Sequence, residues 1–320
     1  MSGITTNLTN TVPPFGPSIN GTVVFVFYEY RPNQAAAYAF VALFGLTTIA
    51  QLVYLVMLKR KPWYFIPLIM GGIGESTFQQ LSSVSAHFIS LANAVEAETF
   101  GYYCRSMSAT SPSSVGPWIG QNMLLLTGAP LLAATIYMTF RRVVEALGAS
   151  KLAIVSPRWI TRFYVLLDVI VIITQLAGTI MPASGDAHLI ALSRKIILAG
   201  LSLQLAALTF FMANCWQVHK KLRRATSERM MHGLVVSWQT HLMALEAATL
   251  LLFIRSIVRV VEYAQGDMGY VASHEVYIYV FDGALMFLIM LFFSILHPQR
   301  LVQDMDSNER EKEGSRMELV

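Results

Sequence analysis

The sequence predicts an all-α, polytopic membrane protein built as a bundle of seven transmembrane helices. Of its 320 residues, 55% are hydrophobic and 13% are charged, whereas a soluble domain carries about 25% charged residues. Apolar stretches of about 20 residues recur along the chain, and that length crosses a bilayer. Lys and Arg gather in the segments between these stretches. That pattern is typical of membrane topology and argues against nucleic acid as a partner.

Seven stretches are apolar enough to cross a membrane: 35–58, 63–88, 118–140, 160–181, 196–216, 243–263 and 276–296. The second is the most polar, because it contains Glu75 and His87, but its apolar first half is too long for a short loop. We interpret 89–117 as the longest loop on one side and 217–242 as a basic loop on the other.

The basic residues predict the orientation of the bundle. On the seven-helix map, 17 of the 23 Lys and Arg lie on the side of the C-terminus and 4 on the side of the N-terminus. The positive-inside rule then places the tail 1–34 outside and the tail 299–320 in the cytosol. Asn7 and Asn20 lie in Asn-X-Thr triplets and are predicted glycosylation sites. The charged C-terminal tail is predicted to be disordered.

Two arginines and two acids lie within or beside the last two apolar stretches. Arg255 and Arg259 interrupt the sixth stretch, and Asp282 interrupts the seventh, with Glu275 at its entrance. Each charge at the centre of a membrane helix costs about 2.5–3.5 kcal/mol on the insertion scale. Such residues persist when they face partners or water, so they are candidate functional residues.

Helical spacing predicts which of these charges meet. Two sets, each spaced i, i+4, i+7, form one stripe on each helix: Arg255, Arg259 and Glu262, and Glu275, Tyr279 and Asp282. Arg255 and Asp282 both lie about 12 Å from the outer helix ends. We therefore expect Arg255 to pair with Asp282, and Arg259 with Glu275 or Glu262.

Two interpretations of this arrangement remain open. The charges form either a structural ion-pair lattice or a cavity for the head group of an amphiphile. In a lattice, Asp282→Asn should abolish folding and surface expression together, whereas in a site it should abolish activity alone. Glu75 and Asp168 are further candidates, either as proton carriers or as acceptors of hydrogen bonds from Gln121, Tyr137 or Gln204.

Catalysis and cofactor binding find no support in the motifs. The seven histidines form no H-x-x-x-H pair, so we expect no metal site. The chain also lacks a G-x-x-x-x-G-K-[ST] loop and a Gly-x-Ser-x-Gly elbow, so we expect no enzyme and no cofactor.

The C-terminal third of the chain resembles a known family. The matching stretches are Arg255 to Gly266, Gly269-Tyr270, His274 to Asp282, and His297-Pro298. They are similar to the fungal lipid-translocating exporters, the Rta-like family associated with aminocholesterol resistance and release of sphingoid long-chain bases. Weaker matches, among them Pro157-Arg158-Trp159 and Gln204, extend the resemblance over nearly the whole length.

The resemblance implies a seven-helix exporter of lipid-like or toxic amphiphiles, with a membrane lipid or amphiphilic small molecule as its partner. We expect it in the plasma membrane more than in an internal membrane. One departure affects Glu75: Phe78-Gln79 and Ser82 stand where the family shows Gly-Tyr and an arginine. A lipid-sensing receptor or regulator with seven helices fits the same topology and remains the alternative.

Overall fold

The computed structural model describes residues 32–57, 78–110, 114–147, 157–184, 187–228, 235–266 and 269–295. Within these segments all regular structure is helical. The first six long helices are α1 (Gln34–Met57), α2 (Phe78–Thr110), α3 (Val115–Ala146), α4 (Pro157–Ile180), α5 (Ala187–Glu228) and α6 (Val235–Gln265). A 3₁₀ turn, Met181–Ser184, follows α4, and a helical turn, Tyr270–Ser273, follows α6.

The last helix, α7, is irregular. It begins as a short α-helical segment, Glu275–Tyr277, continues as a π-helix, Ile278–Ala284, and ends as the α-helix Leu285–Ile295. π-helical turns inside α-helices are rare and occur often at functional sites. Asp282 is one of the buried residues of the π segment.

Helix α3 lies at the centre of the bundle. It packs against α2, α4 and α6, while α7 packs against α6 and α1. Its side chains Leu125, Leu132, Ile136 and Tyr137 are buried in a continuous core that also receives side chains from the other helices. Because α3 is enclosed by protein, it can contact polar groups of several neighbours at once.

Four helical stretches in the described residues are long and apolar enough to cross a membrane: Val115–Glu145, Arg162–Ile180, His188–Arg224 and Glu275–Phe293. Helix α1 adds a shorter apolar helix, Gln34–Ala50. Large apolar side chains such as Phe163, Leu166 and Ile173 on α4 are exposed, as expected of a surface that meets hydrocarbon. The count of seven spans and the orientation of the termini stay predictions.

The predicted end of the second helix at residue 88 is wrong, while its predicted start at residue 63 lies outside the described residues. Residues 89–110 continue α2 without a break, so the loop expected over 89–117 contains at most the short connection to Val115. The reason is that α2 buries polar side chains against protein. Hydropathy measures how well a segment suits a lipid environment, so it underestimates the length of a helix that buries polar side chains against protein.

The basic loop expected over 217–242 is also largely helical, because α5 continues to Glu228 and α6 begins at Val235. Lys, Arg, Ala and Glu are strong helix formers, so both helices extend beyond their apolar stretches. Glu75, Asn7, Asn20 and the tail 299–320 lie outside the described residues.

Candidate functional site: a buried ion cluster between α2, α6 and α7

The site is built from one stripe of α6 and the π segment of α7. Arg255, Arg259 and Asp282 are each at most 4% exposed. We call Glu98, Arg255, Arg259, Glu262 and Asp282 the ion cluster. Burial of charge on this scale is tolerated only when opposite charges and hydrogen bonds compensate it.

Asp282 binds both arginines, which confirms the predicted pairing of Arg255 with Asp282. Arg255 Nη2 lies 2.6 Å from Asp282 Oδ1. Arg259 donates from Nε to Oδ1 at 3.2 Å and from Nη2 to Oδ2 at 2.7 Å. This two-point contact is the strong, geometrically specific form of an arginine–carboxylate pair.

The two arginines also donate to groups other than Asp282. Arg259 Nη1 donates to Glu262 Oε2 at 3.1 Å, which confirms Glu262 as one of its two predicted partners. Arg255 Nη2 donates to the carbonyl oxygen of Leu125 on α3 at 2.7 Å. The cluster therefore joins α6 and α7 to the central helix.

Glu98 on α2 is the member of the cluster that sequence reasoning missed. Its side chain is fully buried, and its Oε1 lies 4.0 Å from Arg255 Nη2. Among the described residues, neither carboxylate oxygen has a hydrogen-bond partner. Gly128 on α3 provides the space for the Glu98 carboxylate, since a Cβ at position 128 would lie 2.6 Å from Glu98 Oε1. A buried carboxylate left without hydrogen bonds requires an explanation.

A sequence signal for Glu98 exists. Glu98, Tyr102 and Arg105 are spaced i, i+4, i+7, and all three are buried, so they form one stripe of α2. The stripe runs antiparallel to α7, because Glu98 lies near Asp282 and Arg105 pairs with Glu275. The early end assigned to the second helix concealed this pattern.

A second group of polar side chains lies toward the first residues of α7, and we call it the outer cluster after the predicted orientation. Its members are Asn33, Arg105, Glu275 and Tyr279. Arg105 Nη2 lies 2.9 Å from Glu275 Oε1, and Arg105 Nε donates to the Tyr279 hydroxyl at 3.0 Å. The backbone N–H of Asn33 donates to the same Glu275 oxygen at 2.7 Å, which fixes the start of α1.

This geometry corrects one predicted alternative: Glu275 does not pair with Arg259. The residue lies two turns before Asp282, level with Arg105, while Arg259 is occupied by Asp282 and Glu262. Arg105 falls within the predicted loop 89–117, whereas the structure places it in α2 with 1% exposure.

Aromatic rings fill the space between the two clusters and α1. Tyr102 stacks on Phe40 and on Tyr279, with ring centroids 5.1 and 5.9 Å apart. Gly283 lets α7 approach this stack, because a Cβ there would lie 2.5 Å from the Tyr102 hydroxyl and 2.6 Å from Phe40 Cε1. The rings hold α7 against α1 and α2.

Asp168 is not brought into either cluster. It is 3% exposed on α4, and its carboxylate oxygens have no hydrogen-bond partner among the described residues. Within that part of the chain, Asp168 therefore does not accept the hydrogen bond expected from Gln121, Tyr137 or Gln204. The side-chain oxygens of Gln121 and Gln204 accept from Arg105 and Gln175 instead. The Tyr137 hydroxyl likewise has no partner among the described residues.

A small cavity adjoins the ion cluster. Its volume is about 30 Å³, and its lining includes Arg255, Arg259, Glu262 and Asp282 together with His274 and Tyr277 near the start of α7. One water needs about 10–15 Å³ measured in this way, so the cavity accommodates about two. The cavity therefore has room for water but not for a head group.

Apolar helices with exposed apolar faces, enclosing paired charges, define the class: this is an integral, multi-pass helical membrane protein. The chain belongs to the RTA1-like protein family, whose sequence model matches residues 91–305. The family suggested by the C-terminal motifs is thereby confirmed. The match covers α3 to α7 and includes Glu98, Asp168, both arginines and Asp282.

Several curated relatives are fungal. The chain is 33% identical to protoporphyrin uptake protein 1 of Saccharomyces cerevisiae, over 85% of this chain and 91% of that protein. It is 31% identical to protein RTA1 of the same yeast, over 86% and 85% of the two chains. It is 22% identical to the sphingoid long-chain base transporter RSB1, over 83% and 72%. No solved structure matches the chain.

Proposed function

We propose that this protein exports lipid-like or toxic amphiphilic molecules across the plasma membrane of a fungal cell, and so confers resistance to them. Two of its relatives are named for protoporphyrin uptake and for sphingoid long-chain base transport. Both named compounds combine a polar group with a large apolar body. The ligand class that we propose is therefore amphiphilic, with its apolar body in lipid and its polar group at the ion cluster.

The unsatisfied carboxylate of Glu98 is the observation that carries this proposal. A purely structural lattice is most stable when every buried charge is paired and hydrogen-bonded. Here Arg255 is engaged by Asp282, while Glu98 lies 4.0 Å away with both oxygens unbonded among the described residues. Arg255 thus has two carboxylates within reach and closely contacts one.

Two carboxylates competing for one arginine form an element with two arrangements. In one, Arg255 pairs with Asp282, as observed. In the other, it pairs with Glu98 and loosens the contact between α6 and the π segment of α7. A polar head group, or a proton on Glu98, changes the balance between these arrangements, and the water-sized cavity widens when α7 moves. Differential contacts of this kind are what couples a ligand to a conformational change.

The test is transport by purified protein in liposomes, using a fluorescent sphingoid base as the probe. We expect Glu98→Gln to lower the rate of movement between leaflets by about tenfold or more. Because Glu98 makes no hydrogen bond in the described residues, its neutral isostere leaves folding intact, and the thermal unfolding temperature should not fall. Asp282→Asn is less informative, because Asp282 holds both arginines.

The matched control is Glu145→Gln on α3. Glu145 forms a pair with Arg141, 3.1 Å away within the same helix, in which both side chains are about one third exposed, so its loss should leave transport unchanged. If Glu98→Gln transports at the parental rate, the ion cluster is a lattice alone and the proposed site is wrong. Saturable binding of the probe without movement in the parental protein would identify a lipid-sensing receptor instead.

A further inference from the structure

A large basic cavity lies at the opposite end of the bundle from the outer cluster. It has a volume of about 560 Å³ and is lined by Trp216, His219, Lys220, Arg223, Arg224 and Glu246. Ligand cavities of proteins are typically about 300–1,000 Å³. It belongs to the end of α5 that the distribution of Lys and Arg predicts to face the cytosol.

The lining has a strong excess of positive charge. Lys220, Arg223 and Arg224 are exposed, and within the helices that the structure describes none of them pairs with a carboxylate. Glu246, the acid of the lining, lies 2.9 Å from His219 Nδ1 and is therefore already engaged. Three cations directed at a cavity of this size favour an anionic ligand.

The position of Trp216 indicates how deep the cavity lies in the membrane. Its indole is 66% exposed, and Trp216, Lys220 and Arg223 follow one another at i, i+4, i+7 on a single stripe of α5. Exposed tryptophans concentrate where lipid head groups begin. The cations therefore lie just beyond the hydrocarbon, at the level of lipid phosphates.

We propose that this cavity binds the head group of an anionic lipid that carries more than one phosphate, taken from the surrounding leaflet. Arginine forks bind phosphate oxygens in pairs, and two adjacent arginines with a lysine one turn away match several phosphate charges. Basic pockets between membrane helices on the cytoplasmic side are known to hold such head groups. This inference does not depend on the proposed transport function, since it uses none of the residues of the ion cluster.

The test measures binding of fluorescent phosphatidylinositol 4,5-bisphosphate to the purified full chain in detergent. We expect Lys220→Gln with Arg223→Gln to weaken the affinity about tenfold or more, because each basic residue near a membrane surface contributes to anionic lipid binding. The matched control combines Arg162→Gln with Lys221→Gln, which removes two charges predicted to lie at the same end but outside the lining. It should change the affinity by less than about twofold.

Three results would overturn the proposal. Equal losses in the two double variants would show general charge attraction, and equal affinity for phosphatidylserine would show that the number of phosphates does not matter. Soluble inositol trisphosphate that binds as tightly as the lipid would identify a free phosphate compound as the ligand. If the double variant fails to fold, Arg223→Lys with Arg224→Lys keeps the charge and should still weaken binding, because lysine lacks the paired donors of arginine.

Discussion

Asp282 is the residue on which the cohesion of the ion cluster depends. It accepts hydrogen bonds from Arg259 at two oxygens and lies 2.6 Å from Arg255. Glu98 lies in the same cluster and accepts no hydrogen bond within the described residues. The two carboxylates of this buried site therefore differ in their contacts, since Asp282 contacts both arginines closely and Glu98 lies 4.0 Å from Arg255.

At the residue scale, we predict that Asp282→Asn destabilises the protein strongly. Removing one partner of a buried pair leaves uncompensated charge and costs about 3–5 kcal/mol. Glu145→Gln breaks a partly exposed pair, for which a loss of at most about 1 kcal/mol is expected. Thermal unfolding of both variants in the same detergent measures the difference. Equal unfolding temperatures would show that Asp282 does not compensate the positive charge of the arginines.

At the scale of elements, α2 and α7 determine the shape of the site together. Tyr102 lies over Gly283, and its hydroxyl is 3.4 Å from the Ile278 carbonyl oxygen. Arg105 and Glu275 join the same two helices nearer the start of α7. Helix α7 therefore packs against α2 at three successive levels, two of them in its π segment, and this packing sets where Asp282 meets the arginines.

We predict that Gly283→Ala destabilises the packing of α7. The added methyl group would lie within 2.6 Å of Phe40 and Tyr102, and overpacking of a filled core costs about 1–3 kcal/mol. Gly45→Ala on α1 is the control, because a Cβ there meets nothing within 4 Å. That change should be neutral or stabilise by up to about 1 kcal/mol, since alanine favours helices. Unfolding of both variants by heat checks this, and a stable Gly283→Ala protein would contradict the close approach.

At the scale of the whole molecule, two polar regions lie at opposite ends of an apolar bundle. The ion cluster and the outer cluster occupy the end where α1 and α7 begin, and the basic cavity occupies the far end of α5. Exposed apolar side chains of α4 and α5 cover the surface between them. This distribution suits a protein that lies across a bilayer.

We predict that Asn7 and Asn20 are glycosylated when the full chain is made in a eukaryotic cell, because the positive-inside rule places the N-terminus outside. Asn7→Gln with Asn20→Gln should abolish the shift in gel mobility that removal of N-glycans produces. Arg310→Thr creates an acceptor at Asn308, in the tail predicted to be cytosolic, and should add no glycan. A glycan on Asn308 instead of Asn7 and Asn20 would reverse the predicted orientation.

Sequence reasoning predicted the features that depend on local spacing. The class of protein follows from apolar stretches, and the pairing of Arg255 with Asp282 follows from equal depth on two adjacent helices. Both use only the rise and period of an α-helix. The same reasoning could not choose between Glu262 and Glu275 for Arg259, because that choice depends on which groups the other helices supply.

The sequence by itself determined that this is a helical membrane protein of the RTA1-like family with opposite charges buried between its last two helices. Only the tertiary structure decided that α2 contributes to this arrangement. Glu98 lies near Arg255, 157 residues later in the chain, and Arg105 pairs with Glu275, 170 residues later. The physical reason is that hydropathy measures contact with lipid, whereas α2 is stabilised by contact with its neighbours. A charge that is costly against hydrocarbon is tolerated there, because α3, α6 and α7 bring it close to opposite charges.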